Sequence, residues 1–122
     1  RMELSAENDK VSCAENQIKQ ACIAILMNSY ESLRDHGEVV IRTGNPDSGH
    51  LLLEIVDNGV GISESDITRV FEPFFSAKDK VSGIGLGLSI VHGIIKSHNG
   101  DVNIKSELGK GTIVSILFPN TE

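Results

Sequence analysis

The chain has 122 residues, of which 39% are hydrophobic, and these totals suit one domain built around one core. Its net charge of -6 and its lack of a basic stripe argue against a nucleic-acid partner. The two cysteines, Cys13 and Cys22, stand among apolar residues, which favours reduced, buried thiols over a disulfide or a metal site.

The first half of the chain predicts one long helix flanked by strands. The helix runs from about Ala14 to Asp35, and His36 followed by Gly37 is an ordinary helix end. Its buried stripe is expected to comprise Ile18, Ala21, Cys22, Ile25, Ser29 and Leu33. The predicted strands are an edge strand at Met2-Glu3-Leu4, a short strand at Val11-Ser12-Cys13, and a hairpin whose strands span 38–43 and 51–56.

The second half predicts a sharp turn, two helices and a second hairpin. Ser63 and Asp66 cap a short helix that reaches about Arg69. A longer helix runs from about Leu86 to His98 and ends at Gly100. Its buried residues are expected to be Leu88, Ile94, Ile95 and either Ile90 or Val91. The remaining predicted elements are the turn over 57–62, strands over 101–106 and 112–118, and the hairpin turn over 107–111.

The order of these elements predicts the fold class. Strands come in antiparallel pairs that helices separate, which differs from the alternation of a doubly wound sheet. We therefore expect an α+β fold in the form of a two-layer α/β sandwich over residues 1–122. Its sheet should be mixed but mainly antiparallel, with about three helices on one face.

A glycine-rich stretch, Gly83-Ile84-Gly85-Leu86-Gly87-Leu88, leads directly into the longer helix. Glycines let a ligand approach the backbone, and a helix start offers unpaired N–H groups and positive dipole charge. The combination favours a phosphate site. By itself the stretch is equally compatible with an ordinary loop before a helix. It lacks the Gly-Lys-Ser/Thr ending of a Walker loop, and no strand precedes it as in a dinucleotide fingerprint.

Two further polar residues stand where structure alone does not require them. Asp57 ends an apolar strand, and the sequence leaves open a turn aspartate or an acceptor for a ligand amine. Asn28 stands mid-helix, where asparagine has no propensity advantage. It is either a solvated amide or an oxygen ligand for Mg²⁺, which takes few protein oxygens when phosphates are present.

Five short motifs occur in an order that resembles the catalytic domains of sensor histidine kinases. These domains share a Bergerat-type ATP-binding fold with gyrase, the 90-kilodalton heat-shock chaperone and MutL-type ATPases. The motif Phe-Glu-Pro-Phe-Phe-Ser and the short lid segment together look most like the nitrogen-regulation type of sensor kinase. The motifs are Asn28 (Asn box), Asp57-Asn58-Gly59-Val60-Gly61 (first glycine box), Phe71-Glu72-Pro73-Phe74-Phe75 (Phe box), the glycine-rich stretch (second glycine box) and Gly109-Lys110-Gly111-Thr112.

The resemblance implies ATP and Mg²⁺ as cofactors and a role for each matching residue. Asp57 would accept a hydrogen bond from the adenine amine, and Asn28 would hold magnesium and take part in catalysis. Lys78, or else Lys80, would supply positive charge beside the phosphates, although either could equally be a solvated loop lysine. The implied nucleotide-contacting residues are Asn28, Asp57, Gly59, Gly61, Ile62, Phe75, Lys78, Gly83, Gly85, Leu86, Gly87, Leu88 and Thr112.

Two positions depart from the family pattern. The related ATPases carry a glutamate that activates water one turn before the magnesium asparagine, and this chain has Ala24 there. Many kinases carry a basic residue just after that asparagine, where this chain has Glu31. The first departure argues against hydrolysis by that route but not against phosphoryl transfer to a histidine, which depends mainly on positioning and charge stabilisation.

None of the four histidines stands in a phosphoacceptor context. We therefore expect a catalytic domain that phosphorylates a histidine on a separate dimerisation and phosphoacceptor hairpin of the same protein. The expected partners include a response regulator receiver domain. The isolated domain should be a monomer, whereas the full-length protein should be a homodimer. A degenerate nucleotide-binding or docking module is the alternative, and a water-splitting ATPase is a weaker one. The sequence shows no signal peptide or membrane-spanning run, which favours a cytoplasmic domain of a protein that can be membrane-anchored elsewhere.

Overall fold

The computed structural model describes residues 1–7, 11, 13–67, 69 and 87–120. No helix within these ranges is long and apolar enough to cross a membrane. The described elements follow the predicted order. They are β1 (Met2–Leu4), α1 (Glu15–Ser32), β2 (Val39–Gly44), β3 (His50–Asp57), α2 (Glu64–Ile67), α3 (Gly87–Ser97), β4 (Asp101–Glu107) and β5 (Gly111–Pro119).

The strands form one five-stranded sheet in the order β1-β2-β3-β5-β4. β1 pairs parallel to β2, whereas the β2–β3, β3–β5 and β4–β5 pairs are antiparallel. The sheet is therefore mixed and mainly antiparallel, as predicted. Its centre is β3 and β5, which bring together the two hairpins.

The core lies between this sheet and the two longer helices. Ile55 of β3 stands opposite Val114 of β5, and both side chains are buried against α1 and α3. α3 buries Val91 and leaves Ile90 39% exposed, so Val91 is the core residue of the two between which the sequence could not decide. The fully or nearly fully buried residues of this layer are Ala21, Ile25, Ile55, Val91, Ile95, Val114, Ile116 and Phe118.

The register of the central strands also places two polar residues together. Asp57 stands opposite Thr112, two residues along from the Ile55–Val114 pair. Side chains alternate between the faces of a sheet, so all four point towards the helices. Asp57 and Thr112 are 5% and 7% exposed. The sheet thus ends, on its helix side, in a buried carboxylate and a buried hydroxyl.

α1 ends earlier than the sequence predicts. Its last residue is Ser32, Leu33 is extended with a ψ of 146°, and His36 rather than Gly37 adopts a left-handed φ of 64°. The cause is tertiary, because the carbonyl of Ser32 accepts the N–H of Val60 at 3.0 Å. The turn after β3 therefore donates a hydrogen bond to the last residue of the helix.

The segment before α1 corrects two further predictions. Val11 and Cys13 do not lie in a strand, and Ser12 is outside the described residues. Cys13 is exposed rather than buried. Cys22 is partly buried, and burial raises the pKa of its thiol.

The short helix and the end of α3 agree with the sequence. The N–H of Asp66 donates to the hydroxyl of Ser63 at 3.2 Å, which is the predicted cap. After Ser97, Asn99 takes a left-handed φ of 60° and the N–H of Gly100 donates to the carbonyl of Ile95 at 2.9 Å. A Cβ at Gly100 would lie 2.8 Å from the carbonyl oxygen of Leu117, so close packing on β5 requires glycine there.

Candidate functional site

The candidate site is centred on the carboxylate of Asp57. Its Oδ1 accepts the N–H of Gly59 at 2.9 Å and the hydroxyl of Ser32 at 3.2 Å. Both contacts fall on the same oxygen. No buried side-chain oxygen or nitrogen in the described part of the chain lacks a hydrogen-bond partner. The two hydrogen bonds therefore fix the carboxylate through Oδ1.

Ser32 is a site residue that sequence reasoning missed. It is 8% exposed, and its Oγ also lies 2.8 Å from the carbonyl oxygen of Ser29. The signal that could have found it is its spacing, because Ser32 follows Asn28 by four residues and so shares a helix face with it.

The glycines of the turn after β3 are required by contacts within the protein. A Cβ on Gly59 would collide with the hydroxyl and carbonyl of Ser32. Gly61 has a φ of +78°, and a Cβ there would collide with the carbonyl of Glu107. The turn consequently packs between the end of α1 and the β4–β5 hairpin, which gives both glycines a role in assembling the site.

Ser106 of β4 is a second residue that the sequence analysis missed. Its Oγ accepts the N–H of Ile62 at 2.8 Å and lies 2.7 Å from Oγ1 of Thr112 and 2.9 Å from the carbonyl oxygen of Gly111. Ser106 thereby connects the turn after β3, which spans residues 58–62 and which we call the glycine turn, to the start of β5. Nothing in the sequence near Ser106 indicates a contact with Ile62, which lies 44 positions away.

Arg34 connects the same two loops from outside. Its Nη2 lies 3.2 Å from the carbonyl oxygen of Gly109 and 3.4 Å from that of Gly59. The N–H of Gly109 also donates to the carbonyl of Val60 at 2.9 Å. These bonds hold the β4–β5 turn against the glycine turn.

The helix that carries Asn28 contributes the other side of the site. Ala24, Asn28 and Glu31 are all partly buried, and they follow one another at one-turn spacing on α1. Ala24, which replaces the carboxylate of the related ATPases, therefore lies on the same face of α1 as Asn28.

The C-terminal end of α3 meets the N-terminal end of α1. His98, one residue past α3, has its Nε2 2.9 Å from the backbone nitrogen of Ala14, the residue before α1. A helix rises about 1.5 Å per residue, so the first residue of α3 lies roughly 16 Å along the helix from His98. The first residue of α3 is Gly87, and Leu88 is 8% exposed in its first turn.

The structure thus brings part of the predicted set together. Asp57, Gly59, Ile62 and Thr112 take part in the hydrogen bonds at the end of the sheet, and Gly61 packs closely on the carbonyl of Glu107. Asn28 lies on α1, and Gly87 and Leu88 lie at the start of α3. Phe75, Lys78, Gly83, Gly85 and Leu86 lie outside the described residues, as do Lys80 and the rest of the Phe box.

Comparison with known proteins decides the family. Residues 13–122 match the family described as histidine kinase-, DNA gyrase B-, and HSP90-like ATPase. The chain belongs to this family. The predicted family and fold are confirmed, whereas the nitrogen-regulation type stays a prediction.

Individual relatives place the chain near the catalytic domains of sensor histidine kinases. It is 35% identical to sporulation kinase E of Bacillus subtilis (strain 168), over 98% of this chain and 16% of that protein. It is 40% identical to sporulation kinase A of the same organism, over 86% of this chain and 17% of that protein. The structure of the mycobacterial sensor histidine kinase MprB superposes with a TM-score of 0.85 at 28% identity, covering 98% of this chain and 82% of that one. The chain spans less than a fifth of the length of these curated kinases.

Proposed function

We propose that this chain is the ATP-binding catalytic domain of a two-component sensor histidine kinase. It would hold Mg-ATP and transfer the γ-phosphoryl group to a histidine on a separate dimerisation and phosphoacceptor domain of the same protein. The observation that carries this proposal is the buried Asp57 carboxylate, held through Oδ1 by Ser32 and Gly59 in a chain of this ATPase family. A receiver domain of a response regulator would then take the phosphoryl group from that histidine.

The Asp57 carboxylate explains why adenine would be selected. The exocyclic amine of adenine donates a hydrogen bond to Oδ2, whereas guanine presents a carbonyl oxygen at the same place. Two acceptors, Oδ2 of Asp57 and the carbonyl oxygen of guanine, would then face each other, and Asp57 is only 5% exposed. A site built around such a bond rejects the wrong group strongly because its own polar atom is left without a partner. Thr112 and the turn of Gly59 to Ile62 would complete the base side.

The two helices support the phosphate side. The start of α3 at Gly87 would offer N–H groups and dipole charge to an anion. The contact between His98 and Ala14 supports an antiparallel packing of α3 on α1, which would bring this start towards Asn28. The side-chain oxygen of Asn28 is the kind of ligand that Mg²⁺ takes when phosphates and waters fill its other positions. Bound magnesium would neutralise charge on the phosphate oxygens. Lys78 or Lys80 would add positive charge.

The chemistry requires little from this domain beyond positioning. An imidazole nitrogen of the acceptor histidine attacks the γ-phosphorus with its own lone pair, the bond to the bridging oxygen breaks, and ADP leaves with the electron pair. No base on α1 is needed for this step. Ala24, at the place where related ATPases carry a base, therefore favours transfer to histidine over transfer to water.

A second candidate function is a degenerate module that binds nucleotide or docks a partner without transferring phosphate. Ala24 and Glu31, the two departures from the family pattern, are the observations that favour it. A water-splitting ATPase is a third and weaker candidate, because Ala24 cannot activate water.

Titration calorimetry with ADP and GDP, each with and without Mg²⁺, tests the proposal. We expect saturable ADP binding that magnesium strengthens, and GDP binding at least about 30-fold weaker. Asn28→Ala should remove the magnesium dependence and keep magnesium-free ADP binding, while Asn103→Ala, at an exposed position of β4, should change neither. Failure to bind either nucleotide would favour the docking module.

A second experiment separates the reaction types. The domain joined to its phosphoacceptor hairpin should form phosphohistidine from ATP, and Asn28→Ala should abolish the label. ATP binding without any labelled histidine would favour the degenerate module. Rapid phosphate release by the domain without an acceptor would favour the ATPase.

A further inference from the structure

We propose that Ser32 is a positioning residue for adenine recognition: its hydroxyl orients the Asp57 carboxylate so that Oδ2 faces the base. This inference rests on the proposed function and names a determinant of its specificity. Ser32 itself would not touch the nucleotide. It would act only through Oδ1 of Asp57, 3.2 Å from its Oγ.

The direction of this hydrogen bond follows from its surroundings. The Ser32 hydroxyl has one proton and two acceptors, the Ser29 carbonyl at 2.8 Å and the Asp57 carboxylate at 3.2 Å. If the proton pointed only at Ser29, an oxygen lone pair would face a carboxylate oxygen in a buried place, which is repulsive. Hydrogen bonds to an ionised acceptor are roughly twice as strong as neutral ones. The Ser32 hydroxyl therefore donates to Oδ1 of Asp57 as well as to the carbonyl of Ser29.

Two donors on one oxygen fix the rotation of the carboxylate. The N–H of Gly59 approaches Oδ1 from the following turn, and the hydroxyl of Ser32 approaches it from α1. With Gly59 alone, the carboxylate could rotate about its terminal bond, because that torsion is broad. The second donor removes this freedom before a ligand arrives, which reduces the cost of binding.

The side chain of Ser32 can be tested apart from its backbone. The carbonyl of Ser32 accepts the N–H of Val60 at 3.0 Å, and alanine keeps that bond. Ser32→Ala therefore leaves the glycine turn attached to α1 and removes only the donor to Asp57. Ser29→Ala is the matched control, since Ser29 is also buried on this helix face and makes no hydrogen bond to Asp57 through its side chain.

The experiment measures the affinities of ADP and of purine riboside 5′-diphosphate, which lacks the 6-amino group. We expect Ser32→Ala to weaken ADP binding about tenfold and to change purine riboside diphosphate binding less than twofold. In an Asp57→Asn background, Ser32→Ala should cause no further loss. Ser32→Cys, which keeps the volume and a weak donor, should give an intermediate ratio of the two affinities, and it serves as the test if the alanine variant fails to fold.

The outcomes separate this inference from the proposed function. If the unmodified chain binds both diphosphates equally, the adenine assignment of Asp57 is wrong. If it prefers ADP but Ser32→Ala and Ser32→Cys keep that preference, Ser32 has no positioning role. Equal losses for both diphosphates would show a merely structural role and would also overturn the inference.

Discussion

The helix layer and the sheet meet at two ends that are built differently. We call Ser32, Asp57, Ser106 and Thr112 the polar end, where hydrogen bonds join α1, β3, β4 and β5. The apolar end, defined by Val11, Ile18, Leu51 and Phe118, lies at the opposite ends of the same strands. These four side chains help to line an apolar cavity of about 300 Å³.

The described motif residues are concentrated at one of these two ends. Every described motif residue of the glycine turn and of the β4–β5 turn lies at the polar end, whereas the apolar end carries ordinary core residues. His98 provides a polar link at the apolar end: its Nε2 lies 2.9 Å from the nitrogen of Ala14, and its Nδ1 lies 2.8 Å from the carbonyl oxygen of Ile94. The polar end should therefore control ligand affinity, and the apolar end should control stability alone.

The largest effect should come from filling a glycine position at the polar end. A Cβ on Gly111 would collide with the carbonyl of Asp57, and the φ of Gly111 is +131°. We expect Gly111→Ala to lower the free energy of unfolding by about 4 kcal/mol or more, measured by urea denaturation. Gly93→Ala is the control, because a Cβ there meets nothing within 4 Å on a helix, and it should raise stability by up to about 1 kcal/mol. Equal stability of the two variants would contradict the close packing of this turn.

A core truncation at the apolar end should cost stability without affinity. Phe118 is 4% exposed and packs with the β3 and α1 residues of the core. We expect Phe118→Ala to cost about 3 kcal/mol of unfolding free energy. ADP affinity, measured by calorimetry at a temperature where the variant is folded, should stay within twofold. A loss of affinity that parallels the loss of stability would remove the distinction between the ends.

Asp57→Asn should have the opposite profile. With Ser32 and Gly59 donating to the amide oxygen, the free atom becomes an NH₂ donor facing the adenine amine. We expect ADP binding to weaken roughly 30-fold, about 2 kcal/mol, and the preference of ADP over GDP to fall. Asp47→Asn, in the exposed turn before β3, should leave both affinities unchanged. An unchanged ADP affinity of Asp57→Asn would refute the assigned role of this carboxylate.

His98→Ala should have a smaller effect, limited to the apolar end. It removes the acceptor for the Ala14 N–H, a solvent-exposed hydrogen bond, so we expect about 1 kcal/mol or less of destabilisation. ADP affinity should not change. His50→Ala, which removes only an exposed contact with Asp47, is the control and should cost less.

The smallest effect should be an electrostatic one at the surface, where β4 begins. The Lys96 ammonium lies 2.6 Å from Oδ1 of Asp101 and lowers the pKa of that carboxyl. A lowered folded-state pKa contributes stability above the unfolded-state value, about 4, and that contribution disappears as the pH falls through the folded-state pKa. Asp101→Asn should therefore lower the urea midpoint slightly at pH 7 and not at pH 2. A larger difference at pH 2 would contradict this sign.

The fold was predictable because its signals are local. Hydrophobic periodicity and glycine-containing turns identified both long helices and both hairpins. The parallel pairing of β1 with β2 and the central β3–β5 pair depend on contacts between distant segments, which periodicity does not contain. The early end of α1 at Ser32 also depends on a contact between distant segments, because the N–H of Val60 in the turn after β3 donates to the carbonyl of Ser32.

Residues of the candidate site were predictable only where they belong to a motif. Asp57, Gly59 and Thr112 stand in recognisable patterns. Ser106 has no local signal, and Ser32 has only its four-residue spacing from Asn28. Their partners lie 25 and 44 positions away. What they do is visible only once the sheet register has brought those segments together.

The most direct test of the two-ended account is a ¹H–¹⁵N chemical-shift titration of the labelled domain with Mg-ADP. At saturation, the largest changes should fall on the polar end and its neighbours, including the amides of Gly59, Ile62 and Thr112 and the side-chain amide of Asn28. The amides of Ala14, Leu51, His98 and Phe118 should change little. Changes concentrated at the apolar end, or none at all at saturating Mg-ADP, would contradict the account.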